Sequence, residues 1–463
     1  MQSIYSAAQV RVAESSASDP PEELMRRAAA AVAAAARDEL GDRTQVLLAV
    51  GPGNNGGDAL YAGAELACGR QVSAWRTAET VHPQAWEAFL DAGGREVSAS
   101  EALELLATAD LVVDGVFGIG ARAGLPGPVE DFADACAERG LPVLSVDLPS
   151  GLEADSAWAP TASFRPTRTL ALGSYKACHL LGPASRRCGQ TTLVDIGLPM
   201  RQAQLQAWQV EDVAAAWPVP DESSDKYNRG VLGIDAGSGL YPGAGVLATL
   251  GAVYTGVGMV RFRGPEPVAE VLLQQLPNVV RAEGRVQAWL VGSGWGPRRD
   301  GAHELDELLG SGLPVVVDAD ALPYVPEHLG RADVLLTPHA GELATLLGVP
   351  RRDVARDPVA AVRKAAGTYG VTVLLKGAVQ YVAGPRSTTV HVAVPGPAWT
   401  AQAGSGDVLA GICGSLLAAG MTAYQAAVCA ASAQALTAAA NPGPYPPQDL
   451  ARRLPQTIAG FAR

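Results

Sequence analysis

The sequence predicts an α/β protein in two halves, each a mostly parallel sheet covered by helices on both faces. Three observations carry that expectation. The chain has 463 residues, 48% hydrophobic and 18% charged, so it can bury a sizeable core and is long enough for two to three domains. Short apolar, β-branched runs bounded by Gly, Pro or Asp recur along it, with helix-like stretches between them. At 211 to 229 the text changes to DVAAAWPVPDESSDKYNRG, with prolines and clustered charge, which separates a domain at 1–210 from one at 211–463.

In the first half the strand signals are QVLLAV (45–50), LVVDGV (111–116), PVLSVDL (142–148) and TLALGS (169–174), and the stretches 59–68 and 130–139 read as helices. Strand, helix, strand in that order implies a parallel sheet. The second half repeats the alternation with VLGIDAG, AWLVGSG, PVVVDADAL, DVLLTPH and VTVLLKG. It ends in a stretch between Asp407 and Asp449 that carries no charge. That stretch imitates a membrane span, but Gly411, Gly414, Ser415, Gly420, Thr422 and Gln425 interrupt it. Gly420 sits where a C-terminal cap would stop one helix before the next, so two helices buried in a protein core are expected. The run 28–36 is too short to span a bilayer and is flanked by Arg26, Arg27 and Arg37.

Charge and cysteine usage exclude several classes. Lys plus Arg number 35 against 47 Asp plus Glu, a net charge of −12, which argues against a nucleic-acid-binding surface. The six cysteines are scattered without metal-ligand spacing, as in reduced cytosolic proteins. The start MQSIYSAAQVRVAESS lacks the features of a secretory signal. A cytoplasmic protein with neither nucleic-acid nor membrane partner is expected.

Directly after QVLLAV comes GPGNNGGD (51–58), then helix-like text. A glycine-rich turn from the carboxyl end of a parallel strand into a helix lets backbone N–H groups approach an anion such as a phosphate. The bland alternative is a tight turn in which Asn54, Asn55 and Asp58 serve as caps. Later strands end in VDGVFGIG (113–120) and SVDLPSG (145–151), and parallel sheets gather such ends on one side. Convergence would bring Asn55, Asp114 and Ser150 within reach of one ion and set Asp147 beside the ligand. Their low formal charge suits a weakly held monovalent cation better than zinc; alternatively, the aspartates cap helices. Lys176 either balances Asp147 and moves protons or is an ordinary exposed lysine.

GPGNNGGD, VVDGVFGIG, SVDLPSG and the lysine after TLALGSY resemble, over roughly residues 1 to 200, the N-terminal epimerase domain of the NAD(P)H-hydrate repair enzymes. The resemblance implies that Asn54, Asn55, Gly56, Gly57, Asp58, the segment Gly118, Ile119, Gly120, Ala121, Arg122, Ala123, Gly124, and Asp147 hold the hydrated dinucleotide. It implies a K+ ion on Asn55, Asp114 and Ser150. LMRRAA (24–29) departs from the family's usual LMENAG-like text, and GVFGIGARAG is looser than ALFGTGL.

In the second half AGSGDVLAG (403–411) heads the long apolar helix. Small residues expose N–H groups at a helix N-terminus, where negative charge on a transferred phosphoryl group would be stabilised, and Asp407 can accept a hydroxyl proton. Four other strand-end motifs accompany it: DAGS with PGA (235–238, 242–244), VGSGWG (291–296), LTPHAGE (336–342) and LLKGA (374–378). His339 is a capping residue or a ligand contact, and Lys376 meets a nucleotide phosphate or reaches solvent. Asp318 and Asp320 either organise Mg2+ through water or satisfy loop amides.

This set, from about Lys226 to the end, looks like the C-terminal dehydratase domain of the same repair system. The resemblance implies an N-terminal Rossmann-like three-layer sandwich followed by a C-terminal ribokinase-like α/β domain. Ala244, Gly294, His339 and Asp407 would contact the hydrate, and Lys376, Gly377, Ala378, Val379, Gln380 and Gly406 the adenine nucleotide. It further implies a bifunctional enzyme that epimerises R and S hydrates of NADH and NADPH (NADHX and NADPHX) and dehydrates the S epimer. Asp147 and Lys176 would serve as acid and base in the first reaction, Asp407 as base in the second. ADP is the expected co-substrate, with Mg2+ in the dehydratase half, and a homo-oligomer is expected. The alternative is a ribokinase-like small-alcohol kinase fused to a non-catalytic nucleotide-binding module.

Overall fold

The structure, a computed structural model, describes residues 1–160 and 162–461. The chain divides into two compact units: one of Ser3–Gln204, the other from Leu205 onward together with Met1–Gln2.

In the N-terminal part the strands are β1 (Gln2–Ile4), β2 (Gln45–Val50), β3 (Gln71–Arg76), β4 (Arg95–Val97), β5 (Leu111–Gly115), β6 (Val143–Val146), β7 (Arg168–Leu172) and β8 (Gln190–Val194). β2 to β8 form a parallel sheet in the order β4-β3-β2-β5-β6-β7-β8. Successive side chains of a strand face opposite sides, and β2 uses both. Val46, Leu48 and Val50 pack with the helices Pro21–Leu40, Asn54–Ala67 and Pro83–Asp91. Leu47 and Ala49 pack with Ala102 and with Val129, Phe132 and Cys136 of the helix Gly127–Glu138. The result is the expected three-layer sandwich. The additional strands β3, β4 and β8 have mixed, partly exposed sequences near the edges of the sheet, which blurs their apolar signal. Strand order reverses between β2 and β5, and in such sheets a crevice opens at the carboxyl ends of the strands flanking the reversal.

In the second unit the strands are β9 (Leu205–Ala207), β10 (Val231–Asp235), β11 (Met259–Phe262), β12 (Ala288–Val291), β13 (Val315–Val317), β14 (Val334–Leu336), β15 (Thr372–Leu375), β16 (Tyr381–Ala383) and β17 (Val390–Val392). They are ordered β9-β17-β16-β15-β14-β13-β12-β10-β11 and run parallel from β11 to β15, after which β16 turns back as an antiparallel hairpin. Here the reversal lies between β10 and β12. The compact units part slightly ahead of residue 211 because β9 pairs with β17, and Trp208, Val213 and Trp217 enter this unit's core.

The uncharged C-terminal stretch forms the helices Ser405–Ala418 and Ala423–Ala440, separated at Gly420 with φ +92°. Both pack in the core with Leu232, Ile234, Leu290, Val316, Leu335 and Leu374. Among the described residues no helix is long and apolar enough to cross a membrane. The helix Pro242–Thr255 crosses Ser405–Ala418 with backbone nearly touching backbone: a Cβ on Gly251 would overlap the Val408 carbonyl, and one on Gly411 the Ala248 carbonyl. All six cysteines are free, and all but Cys68 are buried.

Candidate functional site

At the reversal in the first sheet the helix after β2 begins at Asn54, not at Ala59, so NNGGD is the helix's first turn rather than a loop ahead of it. Its N-cap is Gly53 and no side chain caps it. The first-turn N–H groups therefore remain available to an anion at the positive end of the helix. None of Asn54, Asn55 and Asp58 is the cap. Asn55 instead donates from Nδ2 to the Phe117 carbonyl at 3.0 Å, tying this turn to the end of β5.

Asp114, at the end of β5, is fully buried beside Ser145 and Ser150, and register explains part of this: Asp114 lies opposite Ser145 on β6. Ser145 Oγ and the Ser150 N–H each donate to its Oδ2 at 2.8 Å, and Ser150 Oγ donates to its Oδ1 at 2.5 Å. Burial pushes the Asp114 carboxyl up, against the pull of the hydrogen bonds from Ser150 and Ser145. Ser150 Oγ in turn accepts from the Phe117 N–H at 2.8 Å. The structure thus gathers Asn55, Asp114 and Ser150 around one backbone turn, and Asp114 caps no helix. The donor set is mostly neutral oxygen with one carboxylate, which fits a monovalent cation and not zinc. Among the described residues no three His, Cys, Asp or Glu side chains converge to hold a metal.

Asp147 follows β6 in a left-handed conformation, φ +62°. Its Oδ1 accepts from Lys176 Nζ at 2.5 Å and from the Leu172 N–H at 3.2 Å, while Lys176 Nζ also donates to the Leu172 carbonyl at 2.8 Å. Lys176 is 1% exposed, so it is not an ordinary surface lysine. Asp58, buried one turn into the Asn54 helix, stands in the field of Asp147; burial first, then Asp147 and Glu14, hold its carboxyl well above the usual carboxylate range. The segment Gly118–Gly124 is a loop on the same side. Its Ile119 carbonyl accepts from Arg11 Nη2 at 3.2 Å, and the Gly124 N–H donates to the Gly151 carbonyl at 2.9 Å, which closes the loop over the DLPSG turn.

In the second unit the strand ends are tied together in sequence. The Gly237 N–H donates to the Ser293 carbonyl at 2.8 Å, and Ser293 Oγ donates to Asp318 Oδ2 at 2.7 Å. Thr337 Oγ1 and Lys376 Nζ both donate to Asp318 Oδ1 at 2.7 Å, and the Lys376 N–H donates to the Pro338 carbonyl at 2.8 Å. Ala244 packs so closely against Gly294 that a Cβ there would collide with the alanine methyl. Asp320 accepts from the Gly296 N–H at 2.8 Å. Asp320 therefore satisfies a loop amide, one of the two sequence alternatives, whereas Asp318 meets a lysine and two hydroxyls, which neither alternative named.

Lys376 Nζ reaches the N-terminus of the Ser405 helix: a Cβ built on Gly406 would stand 3.4 Å from it. That helix and Pro242–Thr255 both begin here without a side-chain cap. Burial lowers the Lys376 ammonium, but Asp318, Glu342 and Asp407 outweigh it and hold its pKa above the usual lysine value. Asp407 is pushed up to about 7, by burial first and then by Asp318, with Lys376 opposing. His339 caps the helix Ala340–Leu347: its Nδ1 accepts from the Gly341 and Glu342 N–H groups at 3.0 and 3.1 Å, and its Nε2 lies 3.2 Å from Glu342. Capping and ligand contact are compatible, because the side chain remains 59% exposed. Gly377, Ala378, Val379 and Gln380 form the turn of the β15–β16 hairpin.

Residue-by-residue reading missed Ser145, Ser293, Thr337 and His179, which orient the charged groups. Only the strand-end position of Ser145, Ser293 and Thr337 could have flagged them. It also missed Asp235, buried at the end of β10, whose Oδ1 accepts from Trp295 Nε1 at 3.0 Å and Arg298 Nη1 at 2.9 Å.

Two α/β units, each with charged side chains collected at the carboxyl end of a sheet reversal, define a two-unit α/β enzyme. The second unit has the fold of a ribokinase-like superfamily protein from Enterococcus faecalis, with TM-score 0.50 and 18% identity over 56% of this chain and 98% of that one. It is also similar to the ADP/ATP-dependent NAD(P)H-hydrate dehydratase of Bacillus subtilis, co-crystallised with ATP/Mg2+, with TM-score 0.51 and 25% identity over 55% of this chain and 98% of that one. A family model described as NAD(P)H-hydrate dehydratase matches residues 232–458, and one described as YjeF-related protein N-terminus matches 21–178. The bifunctional NAD(P)H-hydrate repair enzyme Nnr of Mycobacterium leprae is 42% identical over 96% of each chain. The chain belongs to the family of bifunctional NAD(P)H-hydrate repair enzymes. The small-alcohol kinase alternative is not favoured.

Proposed function

We propose that the unit at Ser3–Gln204 interconverts the R and S hydrates of NADH and NADPH and that the unit from Leu205 onward dehydrates the S epimer at the expense of ADP. The observation that carries this reading is the pairing of two independent proton-transfer centres, Asp147 with Lys176 and Asp407 with Lys376, each beside an uncapped helix N-terminus suited to phosphate.

In the first unit the dinucleotide phosphates lie against the amides of Asn54–Asp58, under the loop Gly118–Gly124. The hydrate carries a hydroxyl on the carbon next to the ring nitrogen. Asp147 removes the hydroxyl proton, the carbon–nitrogen bond opens to an aldehyde, and the nitrogen takes up a proton supplied through Lys176. Reclosure on the opposite face reverses the transfers. Asn55, Asp114 and Ser150 would hold K+ beneath the ligand, where its charge would steady the phosphates.

In the second unit Asp407 takes the hydroxyl proton as the oxygen attacks the terminal phosphate of ADP, giving a phosphorylated hydrate and AMP. Lys376 and the Ser405 helix N-terminus face the transferring charge. Loss of phosphate and of the neighbouring ring proton restores the double bond. Ala244, Gly294 and His339 contact the hydrate, while Lys376 to Gln380 and Gly406 hold the nucleotide. Asp318 and Asp320 are engaged by the protein, so Mg2+ arrives with the nucleotide phosphates. A cytoplasmic homo-oligomer completes the reading.

Asp114→Ala tests the ion site in the full chain. Epimerisation and its dependence on potassium over sodium should disappear together, while dehydration of pure S hydrate stays intact. Consumption of R hydrate at the wild-type rate would reject the site.

A further inference from the structure

His179 lies in the short helix Ala177–Leu180 behind the Asp147–Lys176 pair and is 3% exposed. Its Nδ1 accepts from the Lys176 N–H at 3.0 Å, and its Nε2 stands 2.8 Å from the Asp147 carbonyl oxygen. A ring nitrogen that accepts an N–H carries no proton, and one facing a carbonyl must carry one. The network therefore assigns a neutral imidazole with its hydrogen on Nε2. One ring bridges the main chains of both reacting residues.

The bridge is placed where the backbone needs it. Asp147 is one of only three non-glycine residues with positive φ among the described residues, a conformation that costs on the order of 1–3 kcal/mol and persists only when its surroundings hold it. The His179 hydrogen bond fixes the Asp147 carbonyl, and the Leu172 N–H fixes Oδ1 from the other side. With Oδ1 committed to Leu172 and Lys176, Oδ2 has no protein donor among the described residues. It is the oxygen left to take a substrate proton.

We infer that His179 is a positioning residue for epimerisation: it locks Asp147 in its left-handed conformation and docks Lys176 against it, so that Oδ2 is presented to the substrate. The inference rests on the proposed roles of Asp147 and Lys176. His179 touches no reacting atom, and its loss should lower turnover without weakening the hydrate's hold on the Asn54–Asp58 turn.

The test uses the full chain without nucleotide, so that S hydrate is not consumed, and follows R and S epimers by chromatography. His179→Leu fills the volume but keeps neither hydrogen bond. His179→Gln offers an oxygen to the Lys176 N–H and an N–H to the Asp147 carbonyl. Leu should lower kcat roughly 10- to 100-fold at unchanged KM, the scale of loss from misplacing a reacting group, and Gln should restore most of the rate. A folded Leu variant with wild-type kcat, or a folded Gln variant as slow as Leu, would overturn the inference. Should Leu not fold, 15N spectra of the histidine-labelled wild-type chain decide. The ring signal lost in His179→Gln should show Nδ1 bare and Nε2 protonated, and the opposite tautomer would overturn the inference. Asp147→Asn is run alongside. Wild-type epimerisation by that variant would remove the underlying reading, whereas an inactive Asp147→Asn beside a fully active Leu variant would remove only the role of His179.

Discussion

Asp407 titrates near neutrality because it is half-buried at a helix start among Asp318, Asp320 and Glu342, and Lys376 only partly compensates. A base must be ionised, so kcat/KM for dehydration should fall about tenfold per pH unit below about 7 and level off above it. Asp407→Asn should flatten that profile and cost roughly 100-fold or more, with nucleotide binding preserved. The stability sign is opposite to that of a stabilising ion pair. A carboxyl whose folded pKa is raised disfavours folding once the unfolded chain ionises, so the contribution of Asp407 to stability declines from about pH 4 to about 7. Asp407→Asn should therefore melt higher than wild type at pH 8 and alike at pH 3.5. His339 caps a helix and, in the proposed function, also contacts the hydrate, and substitution can separate the two. His339→Ala should lose an N-cap, about 1 kcal/mol, and also weaken hydrate binding more than nucleotide binding. His339→Asn should restore the melting temperature but not hydrate affinity by calorimetry.

Among the elements, the crossing of Pro242–Thr255 and Ser405–Ala418 places the second site. Ser405–Ala418 starts beside Lys376 and Pro242–Thr255 starts against Gly294 and Ala236, and each has a glycine where the other's backbone passes. Because a methyl on Gly411 must displace the Ala248 carbonyl, Gly411→Ala should cost about 1–3 kcal/mol in urea unfolding and shift the helix that carries Asp407. Dehydration should suffer and epimerisation should not. A variant with unchanged stability and activity would show that the crossing tolerates more separation than its packing indicates. The expected helix pair across Gly420 was legible, because an uncharged stretch broken by a left-handed glycine leaves few alternatives. The start of the Asn54 helix was not, since two glycines in a first turn resemble a loop until the strands on either side fix it.

At the scale of the whole molecule, two sheets with separate cores carry separate chemistries, and a soluble intermediate passes between them in the proposed reaction. Full-chain Asp147→Asn should consume S hydrate and leave R, apart from spontaneous epimerisation. Full-chain Asp407→Asn should equilibrate the epimers and dehydrate neither. Mixing the two variants should restore complete conversion, because the epimer is a free small molecule. Failure of the mixture to exceed the sum of its parts would contradict the division of labour between units.

What the sequence alone determined were the features with local cause: apolar strands, helix breaks, glycine-rich strand ends, and the ordered motifs that carry the family resemblance. Seven of its strand signals needed only trimming at their ends, since β-branched runs bounded by Gly or Asp have few other uses. Tertiary structure decided which atoms meet. That Lys176 is buried against Asp147, that Asp318 binds Lys376 rather than a loop amide, and that His179 holds a left-handed aspartate all depend on strand order and register. Those long-range pairings join residues 29 to 58 positions apart along the chain, from Lys176 with Asp147 to Lys376 with Asp318, and hydrophobic periodicity has no memory over such distances.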